Sequence, residues 1–281
     1  MKTSNKLLIA LAALLIIIPI IVVAVNVKIN YRTRTGHNFV EEQEINEEPF
    51  DRMSKDRVSI PIKTPFSLVN IPDAKRIYLE LHFIKSTQSG VKIPYDVKND
   101  IVFNVNRAGV LQIKFSDKLN RSGNHFDGIV ILVYGPNIDK LDVGNASSIV
   151  LTAKTDTLGI NVKNSDQLMF SSPVTFSTDG KITRVINQTE IKNLTINLDS
   201  TAFSSGNNNY KNLNIICKNS SASIEGEEGE ENKNIENLNV KTFEKSEIKI
   251  DKFNINKISG SLSDETKVQM PVKYLKQMFK D

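Results

Sequence analysis

The sequence predicts an all-β fold, built as a parallel β-solenoid behind one N-terminal transmembrane helix and closed by a short C-terminal capping helix. Three observations carry this. Residues 58–135 break into short β-branched and aromatic runs separated by turn residues. Residues 136–270 repeat a leucine-anchored unit of about 18 residues. The chain of 281 residues also holds 30 Asn, a residue suited to tight polar corners.

The chain begins with a short tail, residues 1–6, followed by the uninterrupted apolar run Leu7–Val25. As a helix this run spans about 28 Å, close to the hydrocarbon thickness of a bilayer. Pro19 would kink it, which membrane helices tolerate. A cleaved secretory signal competes with an anchor, since Lys2 and Lys6 form an n-region and Val22-Val23-Ala24 a cleavage site. The run is nevertheless longer than an ordinary signal core. Either reading exports the rest of the chain; as an anchor the run makes a single-pass protein with a six-residue cytoplasmic tail.

Residues 26–57 read as an acidic stalk, with Glu41, Glu42, Glu44, Glu47 and Glu48 on a solvated face. From Arg57 the texture changes. RVSIPI, FSLVNI, RIYLELHFI, GVKIPY, DIVFNV, GVLQIKF and GIVILVY read as seven strands, with turn chemistry such as Arg107-Ala108-Gly109 between them. No amphipathic helix is evident in this half.

In the second half, residues 138–143, 191–196, 210–215 and 235–240 share one pattern: apolar, two polar, Leu, polar, then Ile or Val. A weaker copy spans residues 156–162. The leucines at 141, 158, 194, 213 and 238 are separated by 17, 36, 19 and 25 residues. The 36 reads as two turns, with the missing one near Val174 and Phe176, and the 25 as one turn plus the insertion EGEEGEEN. Units this short cannot bury a core alone, so they must stack, with Asn at left-handed corners and in side-chain ladders. An antiparallel sandwich with coincidental leucine spacing is the competing architecture. An open stack needs capping, and residues 271–281 supply a helical pattern in Tyr274, Leu275, Met278 and Phe279.

The stretch GIVILVYGPNIDKLDVGNASSIVL resembles the head GIN domain of the "putative auto-transporter adhesin" family of bacterial envelope proteins. Tyr134, Pro136, Leu141, Val143, Gly144, Ala146 and Ser147 carry the likeness, and residues 258–264 resemble the same small-residue turn in a later rung. The resemblance covers residues 58–270 and implies a single-stranded, right-handed parallel β-helix-like fold in the bacterial cell envelope. It brings no catalytic residues. Asn145 and the acidic insertion depart from the family pattern.

A net charge of +4, from 36 basic and 32 acidic residues, argues against nucleic acid as a partner. Cys217 is the sole cysteine and lies in an apolar strand, which suits a buried structural thiol rather than a disulfide or a nucleophile. His37, His82 and His125 lack metal-ligand spacing, and no nucleophile-elbow, phosphate-loop or zinc-protease motif occurs. No cofactor is implied. Glu225, Glu227, Glu228, Glu230 and Glu231 form an acidic loop that is a weak calcium candidate, without the spacing of a calcium repeat. Asp139, Asp142, Asp156 and Asp166 are scattered, and Trp is absent. The expectation is a non-enzymatic, membrane-anchored surface for adhesion or scaffolding, with an envelope polysaccharide or protein as partner. The alternatives are a β-helix polysaccharide lyase or hydrolase, and a membrane-tethered sensory or regulatory domain.

Overall fold

The computed structural model describes residues 15, 17–19, 23, 48–54, 56–121, 128–171, 174–178, 181–206, 208–226 and 234–279. The chain forms two compact units, Met1–Glu42 and Gln43–Asp281. Of the apolar run Leu7–Val25, only residues 15, 17–19 and 23 are described, and these are helical and exposed. Among the described residues no helix is long and apolar enough to cross a membrane. The rest of that run, and residues 26–47 of the acidic stretch, lie outside the described residues.

The second unit is mostly β, as expected, and its main sheet is large and not closed. All seven runs of the first half form strands: β1 (Arg57–Pro61), β2 (Leu68–Ile71), β3 (Tyr78–Lys85), β4 (Gly90–Pro94), β5 (Ile101–Val105), β6 (Val110–Phe115) and β7 (Ile129–Gly135). One short α-helix, α1 (Asp117–Arg121), lies in this half, where the sequence shows no amphipathic helix. It is one turn long, too short to show an apolar periodicity. The second half supplies β8 (Lys140–Gly144), the long β9 (Ser148–Lys163), β10 (Gln167–Phe170), β11 (Val174–Thr178), β12 (Lys181–Ile186), β13 (Glu190–Asp199) and β14 (Ala202–Gly206). It continues with β15 (Tyr210–Lys218), β16 (Ser221–Glu225), β17 (Asn234–Phe243), β18 (Glu247–Asp251), β19 (Asn254–Ser261), β20 (Lys267–Gln269) and helix α2 (Val272–Met278).

Two parallel ladders organise these strands. One runs β7–β3–β9–β10–β14–β16–β18–β20. The other runs β6–β2–β8–β9–β13–β15–β17–β19. Antiparallel strands finish each ladder at its N-terminal end: β1 and β4 beyond β7, and β5 beyond β6. β9 belongs to both ladders, passing from β3 at Ala153 to β13 at Lys154. Alternate residues of both ladders are buried: Leu194, Ile196 and Leu198 from one, and Leu168, Phe203, Ala222 and Ile224 from the other. Phe170 and Phe203 meet edge-on at 5.7 Å within this core.

The repeat register needs three corrections. Leu158, Leu194, Leu213, Leu238 and Ile258 do stack in one column, but Leu141 pairs with Ile160, two residues along. A two-residue offset keeps every side chain on its face, so the apolar pattern cannot distinguish the two registers. The interval of 36 contains no hidden rung: Leu158 pairs directly with Leu194, and β11 and β12 form a separate antiparallel hairpin between them. Residues 258–261 lie inside β19, paired with β17, instead of forming a corner turn. The interval of 25 is a single rung, as expected, since Leu213 pairs with Leu238.

Three of the 30 Asn sit at left-handed polar corners. Asn145, Asn164, Ser200, Asn219 and Glu244 all have φ between 49° and 56°, and three of the five are Asn, which tolerates this region. One residue after three of these corners, at Ser165, Thr201 and Ser220, a buried hydroxyl ties the corner to the preceding one. Ala146 N donates to Ser165 Oγ (3.0 Å), Ser165 N to Thr201 Oγ1 (3.2 Å) and Thr201 N to Ser220 Oγ (3.1 Å). Each hydroxyl in turn donates to a carbonyl of its own rung, as from Ser220 Oγ to Lys218 O at 2.7 Å. At the C-terminal end α2 packs on β19. Its buried Tyr274 donates from its hydroxyl to Phe253 O (2.8 Å) and accepts from Ile255 N (3.1 Å).

Candidate functional site

Two neighbouring features offer a ligand something to hold. The first is a groove of about 700 Å³ where β9 crosses between the ladders. Lys85, Asp139, Lys154, Asp156, Glu190 and Lys192 are among its lining residues. Lys192 Nζ lies 2.6 Å from Asp156 Oδ1. That hydrogen bond holds the Asp156 carboxyl below its usual range and the Lys192 ammonium above its own, so both stay charged at neutral pH. Of the four scattered aspartates, Asp139 and Asp156 line this groove. Asp142 and Asp166 sit elsewhere: Asp142 accepts from Asn161 Nδ2 (2.5 Å), and Asp166 pairs with Arg76 at 2.6 Å.

The second feature adjoins the groove at Thr157 and Lys192. Outward residues of the second ladder form three columns that are rich in Asn and Thr and carry charged residues towards their ends. The first holds Thr157, Asn193, Asn212, Asn237 and Lys257; the second Lys140, Gly159, Thr195, Asn214, Asn239 and Ser259; the third Asp142, Asn161, Asn197, Ile216, Lys241 and Ser261. Hydrogen bonds run along them: Asn237 Nδ2 to Asn212 Oδ1 (2.9 Å), Asn212 Nδ2 to Asn193 Oδ1 (2.6 Å), and Asn197 Nδ2 to Asn161 Oδ1 (2.5 Å). Asn214 donates to Thr195 Oγ1 at 3.3 Å, and Asn239 to Ser259 Oγ at 3.1 Å. An amide in such a chain uses one N–H and one lone pair, and keeps one of each for a ligand. The Asn pairings were legible in the sequence as a ladder, although which strand face carried them was not.

Buried polar groups elsewhere serve structure. Lys92 Nζ, fully buried on β4, contacts Glu48 Oε1 (3.0 Å), Pro49 O (2.8 Å) and Arg52 O (2.8 Å). Tyr134 donates to Glu48 O at 3.1 Å and meets Phe50 edge-on at 5.2 Å. Glu48 is therefore buried and paired, which corrects its reading as part of a solvated stalk, because the charge of Lys92 draws it onto the sheet. His82 is buried with its Nε2 2.9 Å from Glu80 Oε1. Cys217 is fully buried, and burial pushes its thiol up to about 12. Of the acidic loop, Glu225 is described; it hydrogen-bonds Ser223 and pairs with Lys249 at 3.0 Å. Glu227, Glu228, Glu230 and Glu231 lie outside the described residues, as do His37 and His125. Among the described residues no three His, Cys, Asp or Glu side chains gather as metal ligands.

No family model matches the chain, and no curated protein matches it. Solved structures overlap it at low identity. A "putative lipid binding protein" from Parabacteroides distasonis is 15% identical over 76% of this chain and 82% of its own, with a TM-score of 0.48. A "putative adhesin" from the same species is 13% identical over 73% and 79%, with a TM-score of 0.41. Another, from Parabacteroides merdae, is 15% identical over 76% and 92%, with a TM-score of 0.37.

Proposed function

We propose that this chain is a membrane-anchored protein of the bacterial cell envelope that binds an extended polymer, polysaccharide or protein, without turning it over. In this reading Leu7–Val25 is an uncleaved anchor and the second unit is an exported β-solenoid. Its two ladders are the two sides of a right-handed coil, the hand that parallel crossover connections adopt. The observation that carries the proposal is the amide face, on which Asn side chains hold one another along a ladder.

A lyase or hydrolase would use the groove, where a base works best with a pKa near neutrality. The Lys192–Asp156 pairing moves the Asp156 carboxyl down and the Lys192 ammonium up, each away from that range. The test is to incubate the full chain, in detergent, with isolated bacterial envelope material. Retention without release of oligomeric fragments is the expected result. Depolymerisation that disappears in Asp156→Asn and Lys192→Met would replace binding by catalysis.

A further inference from the structure

We propose that the N-terminal end of the strand stack, at β1 and β5, docks a second copy of this chain end to end about a two-fold axis. This contact is separate from both the amide face and the groove.

The two ends of the stack are finished differently. Before β9, one ladder adds β3, β7, β4 and β1, and the other adds β8, β2, β6 and β5. With four strands on each side, β1 and β5 close the stack at one level. At the far end α2 packs on β19, and the last strand, β20, is three residues long. At the near end Val58, Ile60, Ile62, Phe103 and Val105 pack against the core and stay partly exposed. An end rung with apolar side chains and open strand edges associates unless the edges are defended.

β1 is defended and β5 is not. β1 begins with Arg57 and ends with Pro61, which has no N–H to give. β5 reads IVFNV, without charge or proline, and its outward Val102 is 61% exposed. Asn106 N bonds Val110 O, and Ser116 N bonds Asp100 O, so the even-numbered residues of β5 face β6. The backbone N–H and C=O groups of Ile101, Phe103 and Val105 therefore point to the open edge.

A second copy suits this end because the end is complementary to itself. Antiparallel pairing centred on Phe103 sets Ile101 opposite Val105 of the other copy, and Val102 opposite Asn104. That register makes about six backbone hydrogen bonds, two for each facing pair, and keeps inward side chains inward. The charges match as well. Asp100 precedes β5 and Arg107 follows it; Asp56 precedes β1 and Lys63 follows it. One two-fold axis through both strands sets each acid beside the other copy's base, at both ends of both strands. None of these four is in a salt bridge among the described residues. Arg57, the charge within β1, is already held by Glu48 at 3.7 Å.

The test reads the oligomeric state of full-length chain in detergent by sedimentation. Wild type should be a reversible dimer. Val102 and Asn104 are exposed, so Val102→Lys combined with Asn104→Lys opposes lysine to lysine across the axis without entering the core. This double variant should dimerise at least about tenfold more weakly, and so should the matching Glu double variant. An equimolar mixture of the two should dimerise again. Separately, Val102→Cys and Asn104→Cys preparations should form a disulfide with each other on mild oxidation, faster than either alone, since facing residues lie within disulfide reach and Cys217 is buried. A monomeric wild type would overturn the proposal. A dimer unchanged in both double variants would do so too, by placing association elsewhere on the chain. A Lys and Glu mixture that stays monomeric would also overturn it. If the double variants unfold at lower urea than wild type, the mixed cysteine preparations decide: a cross-link supports the contact, and its absence removes it.

Discussion

Cys217, Tyr134 and Tyr210 are buried, and their most testable consequence is a pH dependence. Burial raises the pKa of both tyrosines and moves the Cys217 thiol from its ordinary 9.0 to about 12. A group that holds its proton more tightly when folded stabilises the fold below its unfolded value and loses that contribution as pH rises through the folded one. Stability should therefore fall between about pH 9 and 12, checked by urea midpoints across that range. At pH 8 the thiol should resist iodoacetamide until denaturant is added. The Lys92–Glu48 contact gives a second prediction. Glu48→Ala leaves a fully buried ammonium without its counter-charge and should cost about 3 kcal/mol in urea unfolding. Cys217 was legible because a lone cysteine in an apolar run has no partner to find. Glu48 was not, because its partner lies 44 residues away and only the fold brings them together.

Strand existence was legible throughout, whereas strand register was not. Alternation in IDKLDV says which residues face inward, but Leu141 stacks on Ile160 instead of Leu158 because both sit on that inner face. The β11–β12 hairpin could pass for a rung because its apolar spacing resembles one; its antiparallel pairing sets it apart from both ladders. Gly260 shows where a strand depends on glycine. At φ 149° an added Cβ would lie 1.8 Å from Val240 O, in backbone that cannot yield locally. Gly260→Ala should cost about 2 kcal/mol, read from the unfolding midpoint, with loss of amide protection in β19 before β13. The capping helix is the other element with a clear role. Deleting residues 271–281 uncovers the last rung at Phe253 and Ile255, and concentration-dependent oligomers should appear by light scattering.

At the scale of the whole unit, each rung of a ladder depends chiefly on its neighbours, so stability should be graded along it. Hydrogen exchange is expected to be slowest in β13 and β15, which have parallel partners on both sides, and fastest in β20. By itself the sequence determined the β class, the polar corners and the burial of Cys217. These follow from local chemistry: alternation, turn residues and the tolerance of Asn for positive φ. Only the tertiary structure decided the register, the meeting of Asp139 with Asp156 in one groove, the burial of Glu48, and the face on which the amides gather. Those depend on which distant rung lies beside which, and a pattern of period two leaves that choice to packing.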